Sequence, residues 1–268
     1  MEQINSLSNA KIKLAISLQQ KKYRDKHNLF LLEGIRNAET AVNAKAKINM
    51  CFCTTEILQN ERAQKLIAKI TCPLYEIPEN IFSKISDTKS PQGLMLIVQK
   101  NDCNLNDLTI TKKSCLLILD RLQDPGNIGT LIRTADALGV SGIICLNGTA
   151  DIFAPKVVRS AMGSLFNLPF VIKVNETDLL SFCQKHDLIL YATALNKQAK
   201  IVWDVNFANS CGIILGNEAN GVSTQLLENA TVKIYIPMIG NAESLNVATA
   251  GAMIMYERHR QCFELITV

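Results

Sequence analysis

From residue 115 onward the chain repeats one pattern: an apolar run of six or seven residues, a turn rich in glycine or polar side chains, then a segment with helical spacing. The runs are CLLILD (115–120), SGIICL (141–146), PFVIKV (169–174), LILYATA (188–194), CGIILG (211–216) and VKIYIP (232–237). Most are continuously apolar. A sheet with one wet face needs alternation, whereas buried parallel strands read as unbroken hydrophobic stretches. Between them lie IGTLIRTADAL (128–138), PKVVRSAMGSLF (155–166), ETDLLSFCQKH (176–186) and STQLLEN (223–229), and a long helix is expected from Ser244 to about Arg260. Gly139 suits the C-terminal end of the first helix. Glu176 and Asp178 fall in the first turn of the third, where the helix dipole favours acids. The pattern predicts an α/β fold with a parallel sheet covered by helices on both faces.

The first hundred residues carry a looser alternation. KIKLAISLQQ (11–20) has helical composition, LFLLEG (29–34) reads as a buried strand, and a helix is expected from Ile35 to about Ala46. Strands are expected at INMCFCT (48–54), PLYEIP (73–78) and GLMLIVQ (93–99), with a helix over 56–70. The polar segment NDCNLNDLTITKK (101–113) is expected to link two domains, 1–100 and 114–268.

Charge is divided unevenly between those halves. Residues 1–100 hold 15 Lys/Arg against 9 Asp/Glu, and the remainder holds 13 against 15. The densest basic stretch contains Lys11, Lys13, Lys21, Lys22, Arg24 and Lys26 against Asp25. Such a stretch suits a polyanion, since each neutralised phosphate releases counterions; a solvated helix face is the other reading. Apolar residues make up 48% of the chain, enough for a full core and against a disordered chain. No apolar run approaches the ~20 residues of a membrane span, and the N-terminus lacks a signal-peptide core, so the expected location is cytoplasmic. The nine cysteines show no C-x-x-C spacing and are expected to be small buried hydrophobes in a reducing compartment; no metal site is expected.

Ligands of open α/β sheets bind beyond the carboxyl ends of the strands. Three loops there stand out: DPGNIGTLIR (124–133), LGNEANGVS (215–223) and IPMIGNAESLNVATAGA (236–252). In the first, Asn127 lies where a helix N-cap is expected, Gly129 permits close backbone approach, and Arg133 follows on the helix. A cap, a turn and a surface arginine account for the same residues. The second sets Gly216 and Glu218 after a buried strand, and the third offers Glu243, Ser244 and Asn246 at a helix start, where Ser244 is a possible N-cap. Neither the dinucleotide fingerprint nor a P-loop is present, so any cofactor pocket must come from these later loops.

These segments, N-x-G-x-x-x-R at 127–133, LGNEANGVS and IPMIGNAESLNVATAGAMIMYE at 236–257, resemble in order the three motifs of the SpoU/TrmH family of RNA methyltransferases in the SPOUT superfamily. FLLEGIRNAETAV (30–42) resembles the substrate-binding N-terminal domain of many members. The resemblance implies a catalytic domain with a deep trefoil knot, otherwise very rare, preceded by a small α/β RNA-binding domain of ribosomal-protein type. It implies S-adenosylmethionine as cofactor, held largely through backbone by Ala194, Leu215, Gly216, Ile236, Met238 and Leu245. Arg133, Glu218, Ser244 and Asn246 would form the catalytic site. Asn127, Arg159 and the basic residues Lys21, Lys22 and Arg24 would bind RNA. A homodimer with a shared site is implied. The implied activity is methylation of a ribose 2′-hydroxyl, with ribosomal RNA favoured over transfer RNA by the two-domain layout. A non-catalytic RNA-binding protein, a guanosine N1 methyltransferase and a dinucleotide-dependent oxidoreductase are the rival readings.

Overall fold

The computed structural model describes residues 1–196 and 198–262. In chain order the elements are β1 (Glu2–Gln3), α1 (Ala10–Ser17), α2 (Lys21–His27), β2 (Leu29–Glu33), α3 (Ile35–Asn43), β3 (Ile48–Cys53), α4 (Glu61–Ile67), β4 (Leu74–Glu76), α5 (Glu79–Ile85) and β5 (Leu94–Gln99). There follow β6 (Asp102–Cys103), β7 (Cys115–Leu119), α6 (Pro125–Ala137), β8 (Gly142–Leu146), α7 (Pro155–Ala161), β9 (Phe170–Val174), α8 (Glu176–Lys185), β10 (Ile189–Thr193), β11 (Lys200–Ile201), β12 (Cys211–Leu215), α9 (Thr224–Asn229), β13 (Val232–Tyr235) and α10 (Val247–Cys262). They form two units, one of residues 1–101 with 151–167, the other of residues 102–150 with 168 onward.

The first unit is a five-stranded sheet in the order β1-β4-β3-β5-β2. β5 runs antiparallel to both β2 and β3, and the other pairs are parallel. Its core joins Ile12, Ala15 and Leu18 to Phe52, Phe82, Ile85 and Ile97. The stretch 151–167 belongs here, although the sequence pattern places it in the C-terminal domain. The reason is aromatic packing: the Phe30 ring of β2 lies 5.0 Å from Phe153 and 6.2 Å from Phe166. The helix expected over 155–166 is broken, because Met162 takes a left-handed conformation (φ 52°) and a separate turn covers Ser164–Phe166.

Arg24 corrects an expectation. It is 3% exposed, not a surface cation. Its guanidinium donates to Asp151 Oδ2 (Nε 2.8 Å, Nη2 2.7 Å) and to the carbonyls of Leu18 and Gln19, both at 2.8 Å. A guanidinium removed from water must be paired in this way, and the burial of this one keeps it from phosphate. Lys21 and Lys22, on the same helix, are exposed as expected.

The second unit is an eight-stranded parallel sheet, β11-β13-β10-β12-β7-β8-β9-β6. Every residue of β7, β8 and β12 is buried, which is why these strands lack polar alternation. The segment expected as a linker contributes edge strand β6, which pairs with β9. Of the nine cysteines, six are buried, while Cys72, Cys103 and Cys262 are half-buried; all are free thiols.

Candidate active site

The carboxyl ends of β7 and β12 are adjacent, in register from Cys115↔Cys211 to Leu119↔Leu215, so the loops that follow them meet. Asp120, fully buried at the end of β7, accepts from Arg121 (Nε 2.7 Å, Nη2 3.0 Å) and from the Ser223 amide (2.8 Å). Asn217 returns the tie: its Nδ2 donates to the Arg121 carbonyl at 2.8 Å. Gly216 is required where the loop doubles back. A Cβ there would stand 2.1 Å from the Gly221 carbonyl carbon and the Val222 nitrogen.

Glu218 fastens this loop to the start of α6. Its carboxylate accepts from the Gln123 and Asp124 amides, each at 3.1 Å, and from Asn127 Nδ2 at 3.2 Å. Burial raises the carboxyl's pKa, but the backbone amides of Glu218, Asp124 and Gln123 and the Asn127 side chain outweigh it, so the net shift is downward. Asn127 Oδ1 then accepts from Asn246 Nδ2 at 2.9 Å. Asn246 Oδ1 accepts from the Ala248 and Thr249 amides (2.9 and 3.2 Å), which makes it the cap of α10. A chain of side-chain bonds, Glu218–Asn127–Asn246, therefore joins the three loops. The helix it caps packs close: a Cβ on Gly251 would meet Leu131 of α6 at 2.5 Å and Leu215 at 2.6 Å.

Several assignments change with this geometry. Asp124, not Asn127, caps α6: its side chain accepts from the Asn127 amide at 2.8 Å, and Pro125 takes the first helical position. The Asn127 amide bonds Glu218 at one end and Asn246 at the other, so it ties the loops together. Gly129 is buried within α6, not exposed toward a ligand. α10 begins at Val247, and Asn246 displaces Ser244 as its cap. Ser244 is exposed and, among the described residues, makes no hydrogen bond.

Arg133 stands apart. It is exposed and has no hydrogen bond or ion pair among the described residues. Six residues turn an α-helix by roughly 600°, so Arg133 projects about 120° away from Asn127. Arg159 lies in the first unit, 3.4 Å from Asp87. Ala194, at the end of β10, donates its amide to the Ile234 carbonyl (2.9 Å), and Leu215 and Gly216 are buried at the end of β12. Ile236 and Met238 are half-buried and Ile239 is fully exposed. Asp120 and Asn217 were not singled out from the sequence. The signal for Asp120 was a lone carboxylate closing a wholly apolar strand.

A parallel sheet whose polar residues gather on the loops at its strand carboxyl ends defines an α/β enzyme with its ligand site there. The chain belongs to the SpoU rRNA Methylase family, which residues 114–256 match, and residues 9–96 match the MRM3-like substrate binding domain. It is 36% identical over 259 residues to the 23S rRNA (guanosine(2553)-2′-O)-methyltransferase RlmP of Bacillus subtilis, covering 96% of this chain and 98% of that one. An AdoMet-bound rRNA methyltransferase from Sinorhizobium meliloti superposes with a TM-score of 0.89 at 30% identity, covering 98% of this chain and 99% of that one. The SpoU methyltransferase AviRb of Streptomyces viridochromogenes, in complex with AdoMet, gives 0.88 at 27% identity, covering 94% and 98%.

Proposed function

We infer that this chain transfers a methyl group from S-adenosylmethionine to a ribose 2′-hydroxyl of ribosomal RNA. The observation that carries the reading is the Glu218–Asn127–Asn246 chain, which ties the three family loops together at one end of the parallel sheet.

The residues present fit the cofactor. Among the described residues, no backbone N–H or C=O from 238 to 245 is hydrogen-bonded to another protein group. Residues 239–244 are exposed, so these groups are open to bonding by a nucleoside with an amino-acid arm. Gly240 faces open space, and Ile236, Met238 and Ile239 offer apolar contacts for an adenine ring. Ala194, Leu215, Gly216, Ile236, Met238 and Leu245 would hold the cofactor, mainly through backbone. When bound, it supplies a methyl group on a cationic sulfonium.

The protein's task is then the nucleophile. A ribose hydroxyl is weakly acidic and must be aligned and stabilised as it loses its proton. A guanidinium carries donors and no acceptor, so Arg133 is not assigned the base role. Its unpaired guanidinium stabilises negative charge growing on the 2′-oxygen and grips the neighbouring phosphate. Ser244 and Asn246 orient the sugar, and Glu218 acts as a positioning residue through the loop backbone. Lys21 and Lys22 contribute phosphate contacts from the first unit, which selects the RNA.

A homodimer completes the site in this reading. Arg133 has no partner from its own chain among the described residues, and α10 leaves Met253 and Tyr256 exposed, 46% and 60%, as an apolar face for a second copy. The loop at 236–246 is the segment we propose to be threaded in the knot that the family resemblance implies. No described helix is long and apolar enough to cross a membrane; the cytoplasmic location we propose follows from the ribosomal-RNA substrate.

The test is incubation of the purified protein with labelled S-adenosylmethionine and unmodified ribosomal RNA, followed by nucleoside analysis. A 2′-O-methylnucleoside is expected. Label on a base, or none on RNA while the cofactor binds, refutes the reading.

A further inference from the structure

The first unit contains a cavity of about 340 Å³ that the methyl-transfer chemistry does not use. Its floor is apolar: Leu31, Ile85, Met95 and Val158 are all buried. At its mouth is the N-terminus of α3, nine residues long, whose capping position is Gly34 at φ 96° with no side-chain cap. The first amides of that helix therefore lack a side-chain acceptor, a condition that favours an anion.

A second observation is independent of the helix end. Asn37 lines the cavity and is 8% exposed. Its Nδ2 donates to the Glu33 carbonyl at 2.9 Å, but its Oδ1 has no partner. A buried carbonyl oxygen without a donor is destabilising, so a ligand that donates to it is favoured. Phosphate alone donates poorly, and a nucleobase edge carries N–H groups.

The charges at the mouth agree. Arg36 is exposed and has no ion pair among the described residues. Arg159 is 3.4 Å from Asp87, with both side chains about half exposed, a contact a phosphate can replace. The carboxylate of Glu33 does not oppose an anion freely, since it already accepts from Ser86 Oγ (2.7 Å), the Gln92 amide (3.0 Å) and Thr88 Oγ1 (3.3 Å). The volume lies at the small end of ligand pockets, enough for one nucleotide and too small for a duplex.

We propose that this cavity binds one unstacked nucleotide of the RNA substrate, with its phosphate at Arg36, Arg159 and the start of α3 and the N–H edge of its base on Asn37 Oδ1. This rests on the RNA reading above and adds the form of RNA recognised: a bulge, loop or end whose base is splayed out. Arg159, expected from sequence as a phosphate ligand, takes that role here.

The test uses the full chain saturated with S-adenosylmethionine, so that adenosine cannot enter the cofactor site. Calorimetric titrations with AMP, GMP, CMP, UMP and inorganic phosphate are compared, and methyl transfer to ribosomal RNA is measured on the same samples. At least one mononucleotide should bind more tightly than inorganic phosphate. Arg36→Ala should weaken nucleotide binding about tenfold, the low end for losing a charged hydrogen bond. Met162→Trp, at the exposed rim of the cavity, should abolish it by filling the space while cofactor affinity stays unchanged; Val158→Trp repeats the test from the floor. Equal affinity for nucleotide and phosphate, or no effect of Arg36→Ala and Met162→Trp in folded protein, overturns the proposal. If that happens while methyl transfer to RNA persists, the cavity inference falls alone; nucleotide binding without methyl transfer sinks the enzymatic reading instead.

Discussion

Removing the carboxylate of Asp151 should destabilise a unit that lies, in sequence, fifty residues behind it. The pair Arg24–Asp151 is dry, with side chains 4% and 9% exposed and Asp151 Oδ2 accepting both Nε and Nη2. Breaking a buried ion pair by deleting one partner costs about 3–5 kcal/mol, chiefly because the other charge stays buried. After Asp151→Ala, the carbonyls of Leu18 and Gln19 still accept from Nη1, so the lower end, about 3 kcal/mol, is expected. For a unit of this size that is about 10 °C in melting temperature. Denaturant unfolding gives the total, and amide hydrogen exchange should show the loss in α2 and β2, while β7 and β12 keep their protection. The double variant Arg24→Met/Asp151→Leu should recover only part of the loss: it removes both charges together but leaves the Leu18 and Gln19 carbonyls and the Phe153 amide without these partners. A single Asp151→Ala variant within about 0.5 kcal/mol of the wild type, or an Arg24→Ala variant that weakens RNA binding with stability intact, refutes the assignment of Arg24 to the core.

Four further outcomes are expected. Arg133→Lys should abolish methyl transfer while calorimetry still detects S-adenosylmethionine, because a point charge does not replace a planar guanidinium; near-normal turnover would remove Arg133 from the chemistry. Glu218→Gln should cost about 1 kcal/mol at pH 7, since one carboxylate oxygen is replaced by an NH2 group that faces a backbone N–H. The folded pKa of Glu218 is lowered, so its contribution is present above the free carboxylate range and is lost as pH falls through the folded value; the gap between variant and wild type must narrow in acid, and a gap that widens contradicts the network. Gly216→Ala should abolish cofactor binding by forcing the 216–222 turn open, read by calorimetry against an unchanged far-ultraviolet spectrum. Replacing Lys21 and Lys22 with Ala should reduce the salt dependence of RNA binding by about two phosphate contacts, and an unchanged slope would take that helix out of the interface.

The layout of the second unit was readable from local pattern alone. Unbroken apolar runs at 115–119, 142–146 and 211–215 are strands because only a doubly covered parallel sheet buries both faces of every residue, and each became a fully buried strand. Glycine and polar residues after those runs pointed to the ligand loops for the same local reason. The chemistry of each side chain was not readable in this way. Asn127 and Ser244 were both plausible caps by position, yet Asp124 and Asn246 hold those places, because a cap is decided by which oxygen reaches the free amides once the loop is closed. Arg24 looked like its neighbours Lys21 and Lys22, and only the approach of Asp151, 127 residues away in sequence, made it a buried charge instead of a surface one. The stretch 151–167 joined the first unit through Phe153 and Phe166 against Phe30, a pairing with no local signature. Periodicity records which face of an element is buried; it carries no information about which distant residue does the burying, and in this protein that partner decided which charges remained free to act.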